Sequence, residues 1–228
     1  MHHYIGSNSM NTNITTVIFD FDGVLVDTES MSLAIYQEML LKENYTLSLE
    51  EYCRTFMGNT EVENVRKMID LYDLPWTLEE GMKLESYIEN RKILEGVRVK
   101  KGANELLEYL HQIGFTVAMA TSSTEERTLN ILNAHGLFDI FDCYVFGDEV
   151  ERSKPFPDIF LKVSEKLNES PENCLVIEDS ESGIQAAFLA GMKVICVPDL
   201  KIPDRKYLDK TILVTSSLDK VKSYLEQI

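Results

Sequence analysis

Val17-Ile18-Phe19-Asp20-Phe21-Asp22-Gly23-Val24-Leu25-Val26-Asp27 opens as a short apolar run and closes on two acids followed by a glycine. A run this short and this apolar reads as a buried strand. Side chains alternate in direction along an extended backbone, so Asp20 and Asp22 fall near one another where that strand ends. Two carboxylates so placed can divide a reaction, one as nucleophile and one as proton carrier, and can share a divalent cation with a phosphorylated substrate. The same Asp-x-Asp-Gly string also reads as a turn whose carboxylates are satisfied locally. The rest of the chain has to choose between the two.

From about Thr28 to Glu95 the pattern is helix after helix. Leu33, Tyr36 and Leu40 recur at helical spacing, Ser48 precedes Leu49-Glu50-Glu51-Tyr52, and Thr60 with Glu63 and Thr77 with Glu80 form capping-box pairs. Met39, Met57, Met68 and Met82 are expected to pack the interior of this block. Downstream the rhythm becomes strand and helix in alternation, with Phe115 to Ala120, Cys143 to Phe146, Cys174 to Ile177 and Lys193 to Val197 as apolar strands. Gly114, Gly136 and Gly191 suit the ends of the helices between them. Alternation of this kind implies a doubly wound parallel α/β sheet covered on both faces, here interrupted by an all-helical insert. The expected division is a core of residues 14–28 and 97–228 and an insert of residues 29–96.

Parallel sheets carry their working residues at the carboxyl ends of the strands. Asp20 and Asp22 follow the first run, Thr121-Ser122-Ser123 the second, Ser153-Lys154-Pro155 lies just beyond the third, and Glu178-Asp179-Ser180 closes the fourth. Each has a plainer reading. Ser123 with Glu126 is a capping box, Glu178 and Asp179 suit a helix start, and Lys154 suits a surface. Four such coincidences at one sheet edge are less economical than one site.

Composition excludes several function classes. The chain has 228 residues and a net charge of −16, from 22 Lys plus Arg against 38 Asp plus Glu, which repels nucleic acid and anionic membranes. No apolar run approaches the roughly 20 residues a membrane span needs. Any phosphate site must therefore find its positive charge locally, from a metal, a lysine or backbone N–H groups. Cys53, Cys143, Cys174 and Cys196 are widely spaced and fit free thiols in a reducing cytoplasm. Residues 1–13 read as a leader outside the fold, either appended or natively disordered. No coiled coil or long apolar stripe calls for assembly, and a monomer is expected.

Together, Asp20-Phe21-Asp22-Gly23-Val24-Leu25-Val26-Asp27, Thr121-Ser122-Ser123, Ser153-Lys154-Pro155 and Val176-Ile177-Glu178-Asp179-Ser180 resemble the four ordered motifs of the haloacid dehalogenase-like superfamily. The helical insert between the first two resembles the cap of the branch containing β-phosphoglucomutase and many sugar-phosphate phosphatases, which implies a Rossmann-like core with residues 29–96 as an all-helical cap closing over it. The resemblance implies that Asp20 attacks phosphorus and forms an aspartyl phosphate, while Asp22 protonates the leaving alcohol and then deprotonates water. It implies Mg²⁺ held by Asp20, the Asp22 carbonyl and Asp179, with Glu178 acting through water. Thr121, the Ser122 N–H and Lys154 would hold the phosphoryl group. Asp27 reads as a hinge or helix-cap residue, and Gly58-Asn59 either as a specificity loop or as a plain interhelical turn.

Within the superfamily, Asp22 argues against dehalogenases and phosphonatases, which lack that acid. A small phosphorylated metabolite, hydrolysed as a phosphate monoester, is the expected substrate. A β-phosphoglucomutase-type mutase is the alternative. The mutase's linker histidine falls at Ser32 and its phosphate-binding cap arginine at Glu61, leaving only Lys83, Arg91 or Lys92 to compensate. A phosphate-responsive binding domain without catalysis is a third reading.

Overall fold

The computed structural model describes residues 14–227, and the leader reading for residues 1–13 lies outside the described residues. Six strands, β1 (Thr16–Phe19), β2 (Thr116–Ala120), β3 (Cys143–Val145), β4 (Cys174–Glu178), β5 (Lys193–Cys196) and β6 (Leu213–Val214), form one parallel sheet in the order β3-β2-β1-β4-β5-β6. This is the doubly wound sheet expected from the alternating pattern. Phe19 sits between Met119 and Ile177, so β1 is central, and both faces of the strands are covered. Their near-continuous apolar runs follow from that.

The period of two is visible in the core. Val17, Phe19, Val117, Met119, Leu175 and Ile177 face one apolar cluster, while Ile18, Ala118, Ala120, Cys174 and Val176 face the other. Helices α5 (Ala103–Gln112), α6 (Glu125–His135) and α10 (Leu218–Leu225) contribute Leu106, Ile131 and Val221 to the first cluster. Helices α7 (Asp158–Leu167) and α8 (Glu181–Leu189) contribute Phe160 and Ile184 to the second. Short α9 (Arg205–Leu208) leads into β6. Cys143, Cys174 and Cys196 lie buried on strands, where burial raises their thiols, and none of the four cysteines is in a disulfide.

Between β1 and β2 lie α1 (Thr28–Leu41), α2 (Leu49–Thr55), α3 (Glu61–Tyr72) and α4 (Leu78–Glu95). Ser48 caps α2, and Thr60 and Thr77 form reciprocal boxes with Glu63 and Glu80. Met39 and Met68 are fully buried between these helices, and Met57 and Met82 pack against the same apolar cluster. The chain enters and leaves the insert through paired segments: Val26 bridges Val99, the Asp27 N–H donates to the Arg98 carbonyl at 2.8 Å, and the Lys100 N–H to the Leu25 carbonyl at 2.8 Å. Asp27 stands at the N-cap position of α1 but its side chain caps nothing; it faces Lys100 at 3.6 Å and Arg98 at 3.7 Å. Among the described residues no helix is long and apolar enough to cross a membrane.

Candidate active site

The winding reverses between β1 and β4, and open α/β sheets bind ligands outside the strand ends at such a switch point. Asp20 and Asp179 stand on either side of it. Past β1 the chain folds back on itself: the Leu25 and Val26 N–H groups both donate to the Phe21 carbonyl, and Gly23 turns at φ 79°. A side chain at Gly23 would place its Cβ 2.5 Å from Asp179 Oδ2, so the glycine lets the first loop close over the fourth.

Asp20, Glu178 and Asp179 each offer an oxygen, all within 4.8 Å of one another. Lys154 Nζ lies among them, donating to Asp20 Oδ1 at 2.5 Å and to Glu178 Oε1 at 2.7 Å. Burial pushes Asp20 up to about 8 despite Lys154, with Glu178 and Asp22 adding to the rise. Burial likewise raises Asp179 well above the carboxylate range, reinforced by Glu178, Asp20 and Asp199. Burial works against the charge on Lys154, but Asp20 and Glu178 outweigh it and the ammonium is held charged. Three hard oxygen donors that repel one another around one cationic amine fit a divalent cation such as Mg²⁺. Glu178 has no exposed surface, and its Oε2 accepts from the Asp179 N–H at 2.9 Å, the Ser180 N–H at 3.0 Å and the Ser180 hydroxyl at 2.9 Å. That places it as the anchor of the turn and of Lys154.

Asp22 is clamped from three sides. Its Oδ2 accepts from the Ser123 hydroxyl at 2.7 Å and the Thr121 hydroxyl at 3.1 Å, and its Oδ1 from Arg127 at 2.8 Å. Burial alone would raise its pKa, but Arg127 and the Ser123 hydrogen bond prevail and lower it. The Ser123–Glu126 capping box does not form. Thr124 caps α6 instead, accepting from the Arg127 N–H, which frees Ser123 for Asp22. Thr121 is fully buried; its hydroxyl also accepts from the Ser123 N–H at 3.0 Å. Gly147 packs so closely on the Ser122 carbonyl that any Cβ there would lie 2.1 Å from it.

A cavity of about 700 Å³ opens above these residues, between sheet and insert. Asp22, Ser122 and Lys154 line its floor; Gly58 and Asn59 line its wall. The Asn59 amide nevertheless donates inward to the Thr55 and Phe56 carbonyls and to Asn64 Oδ1, so it braces the α2–α3 turn while facing the cavity. Seven carboxylates line the space, Asp22, Glu29, Glu61, Glu63, Glu85, Glu89 and Glu126, against two cations, Arg127 and Lys154, both ion-paired. Lys83, Arg91 and Lys92 are not among its lining; Lys83 pairs with Glu79, and the other two with Glu38. The expectation that they could compensate for Glu61 is corrected accordingly.

Sequence reading missed Arg127, Ser123 as a partner of Asp22, and the ion pair of Lys100 with Asp199 near the hinge. An arginine on a polar helix face carries no signal of burial. The one available hint was its spacing, one turn beyond Ser123.

A family profile described as haloacid dehalogenase-like hydrolase matches residues 17–197. The chain belongs to this family. Among curated relatives, this hydrolase is 36% identical over 180 residues to a phosphorylated carbohydrates phosphatase of Thermotoga maritima, covering 78% of this chain and 82% of that protein. It is 33% identical over 214 residues to a bifunctional riboflavin kinase/FMN phosphatase of Arabidopsis thaliana; there the match covers 93% of this chain but spans only 56% of the relative's length. A haloacid dehalogenase family hydrolase of Deinococcus radiodurans, solved with phosphate and sodium bound, superposes with a TM-score of 0.82 at 25% identity, covering 95% of this chain and 97% of that one. This hydrolase is thus a phosphoric monoester hydrolase.

Proposed function

We propose that this hydrolase is a Mg²⁺-dependent phosphatase of small phosphate monoesters, a sugar phosphate or a related metabolite phosphate, working in the cytoplasm through an aspartyl phosphate. The observation that carries the reading is the placement of Asp20 at the switch point with Lys154 on it and a second, separately held acid, Asp22, facing the cavity.

In the first step an oxygen of ionised Asp20 attacks phosphorus, the bond from phosphorus to the alcohol oxygen breaks, and Asp22, reacting from the protonated form that Arg127 keeps scarce, gives that oxygen its proton. In the second, Asp22 takes a proton from water, whose oxygen attacks phosphorus and releases Asp20 and inorganic phosphate. Lys154 neutralises charge beside the nucleophile, and the Ser122 N–H with the Thr121 hydroxyl, which turns from Asp22 to the phosphoryl group, completes the cradle. Asp20, the Asp22 carbonyl and Asp179 would hold Mg²⁺, with Glu178 behind them; bound there, the ion supplies charge neutralisation to the phosphoryl oxygens.

The acidic cavity supports hydrolysis over mutase chemistry, since a bisphosphate intermediate needs a cation at its distal end and finds Ser32 and Glu61 there. A screen of phosphorylated metabolites and p-nitrophenyl phosphate, with Mg²⁺ and with chelator, tests the reading. Phosphate release that needs Mg²⁺ and disappears in Asp20→Asn is expected. Turnover by Asp20→Asn, or none by the parent chain, would overturn it. With β-glucose 1-phosphate and a bisphosphate primer, predominant glucose 6-phosphate in place of free phosphate would establish the mutase instead.

A further inference from the structure

We propose that Arg127 is the positioning residue that sets Asp22 for proton delivery to the leaving group, and that Glu89 makes this setting depend on the docked insert. The inference rests on the phosphatase reading above and concerns two residues to which that mechanism gives no part.

The geometry is a relay across the boundary between sheet and insert. Arg127 Nε donates to Glu89 Oε1 on α4 at 2.7 Å, while its Nη1 donates to Asp22 Oδ1 at 2.8 Å and to Ser123 Oγ at 2.9 Å. Ser123 in turn donates to Asp22 Oδ2 at 2.7 Å, so guanidinium, hydroxyl and carboxylate close a triangle that fixes the rotation of the Asp22 carboxyl. The Arg127 and Glu89 side chains are only 16% and 17% exposed. Burying a guanidinium is costly unless its hydrogen bonds are made, and here two carboxylates from different parts of the chain make them. Helix α4 packs on α6 at this point, and among the described residues no other ion pair joins residues 29–96 to the sheet domain.

The consequence concerns timing. With the insert docked, Glu89 holds one edge of the planar fork and thereby the orientation of the other, which carries Asp22. With the insert swung away, Arg127 loses its second anion and its side chain is free to leave Asp22. Lysine cannot substitute, because a point charge on a flexible stem lacks the fixed fork that spans both acids.

Leaving-group chemistry isolates this role from a structural one. p-Nitrophenolate departs readily as the anion, whereas a benzyl alkoxide needs a proton, and the two esters are alike in size and charge. kcat/KM reports the step up to and including alcohol departure. In the full chain with Mg²⁺, Arg127→Ala is expected to lower kcat/KM for benzyl phosphate by about a hundredfold, the scale of general-acid catalysis, and that for p-nitrophenyl phosphate by much less. Glu89→Gln is expected to shift the same ratio in the same direction, and the double variant to be no worse than Arg127→Ala alone, as coupled residues behave. If Arg127→Ala fails to fold by circular dichroism, Arg127→Lys carries the test with the same expected selectivity. Equal losses on both esters, or additive effects of the two substitutions, would overturn the positioning role while leaving the phosphatase reading intact. A parent chain inactive on both esters would end both.

Discussion

Glu85, on α4, is 3% exposed and faces the cavity. Burial raises its carboxyl to about 7, with Glu89 and Glu61 adding to the rise and Arg127 opposing it. The sign of the pH dependence follows. The folded state retains a proton that the unfolded chain releases near 4.5, so stability is lost as pH rises from there through about 7. Glu85→Gln should therefore match the parent near pH 4 and exceed it at pH 8, by on the order of 3 kcal/mol, in urea unfolding at the two pH values. Equal midpoints at pH 8 would show that the folded protein already solvates the charge. A glutamate at a helical position tells nothing of this from sequence, because its burial is set by α1, α3 and α6 closing around it.

Turns between elements were the more legible level. Ser48, Thr60 and Thr77 announce their helices because a cap and its partner lie within four residues, and local chemistry settles such pairs. Thr60→Ala should cost about 1 kcal/mol of unfolding free energy. Ser123 stayed ambiguous in sequence for a reason of the opposite kind: it and Thr124 are both competent caps, and only the approach of Asp22 from the loop after β1 decides which is spared. At the β4–α8 turn the constraint is tighter still. A Cβ at Gly183 would lie 1.7 Å from Glu178 Oε1, the oxygen that holds Lys154. Gly183→Ala is expected to lose about 1–3 kcal/mol of stability, as overpacked cores do, and to reduce phosphate release by displacing Lys154. Parent-like values for both would mean that Glu178 has room to move.

For the molecule as a whole, the carboxylates gathered at the switch point are a liability that a cation would relieve. Asp20 and Glu178 are buried and Asp179 half-buried around one lysine, and holding all three acids ionised there opposes folding. Mg²⁺ at a hundredfold its dissociation constant should stabilise the fold by about 2.7 kcal/mol over the chelated protein. Asp179→Asn should be at least as stable as the parent in chelator and should lose the Mg²⁺ response. A parent whose unfolding midpoint ignores Mg²⁺ would argue against the metal assignment. The insert contributes at this level too, since its apolar residues are continuous with those on one face of the sheet.

What the sequence determined by itself was the sheet, the order of its motifs and the acids at its strand ends. Hydrophobic periodicity and local caps depend on neighbours in the chain, and a parallel sheet then brings strand ends together wherever they lie in the sequence. Only the tertiary structure decided which hydroxyl holds Asp22, that Arg127 bridges Asp22 to Glu89, and that the cavity is walled by acids while Lys83, Arg91 and Lys92 turn elsewhere. Those outcomes depend on which charged groups lose solvent together, and that is set by packing between segments about a hundred residues apart, as between Asp22 and Arg127.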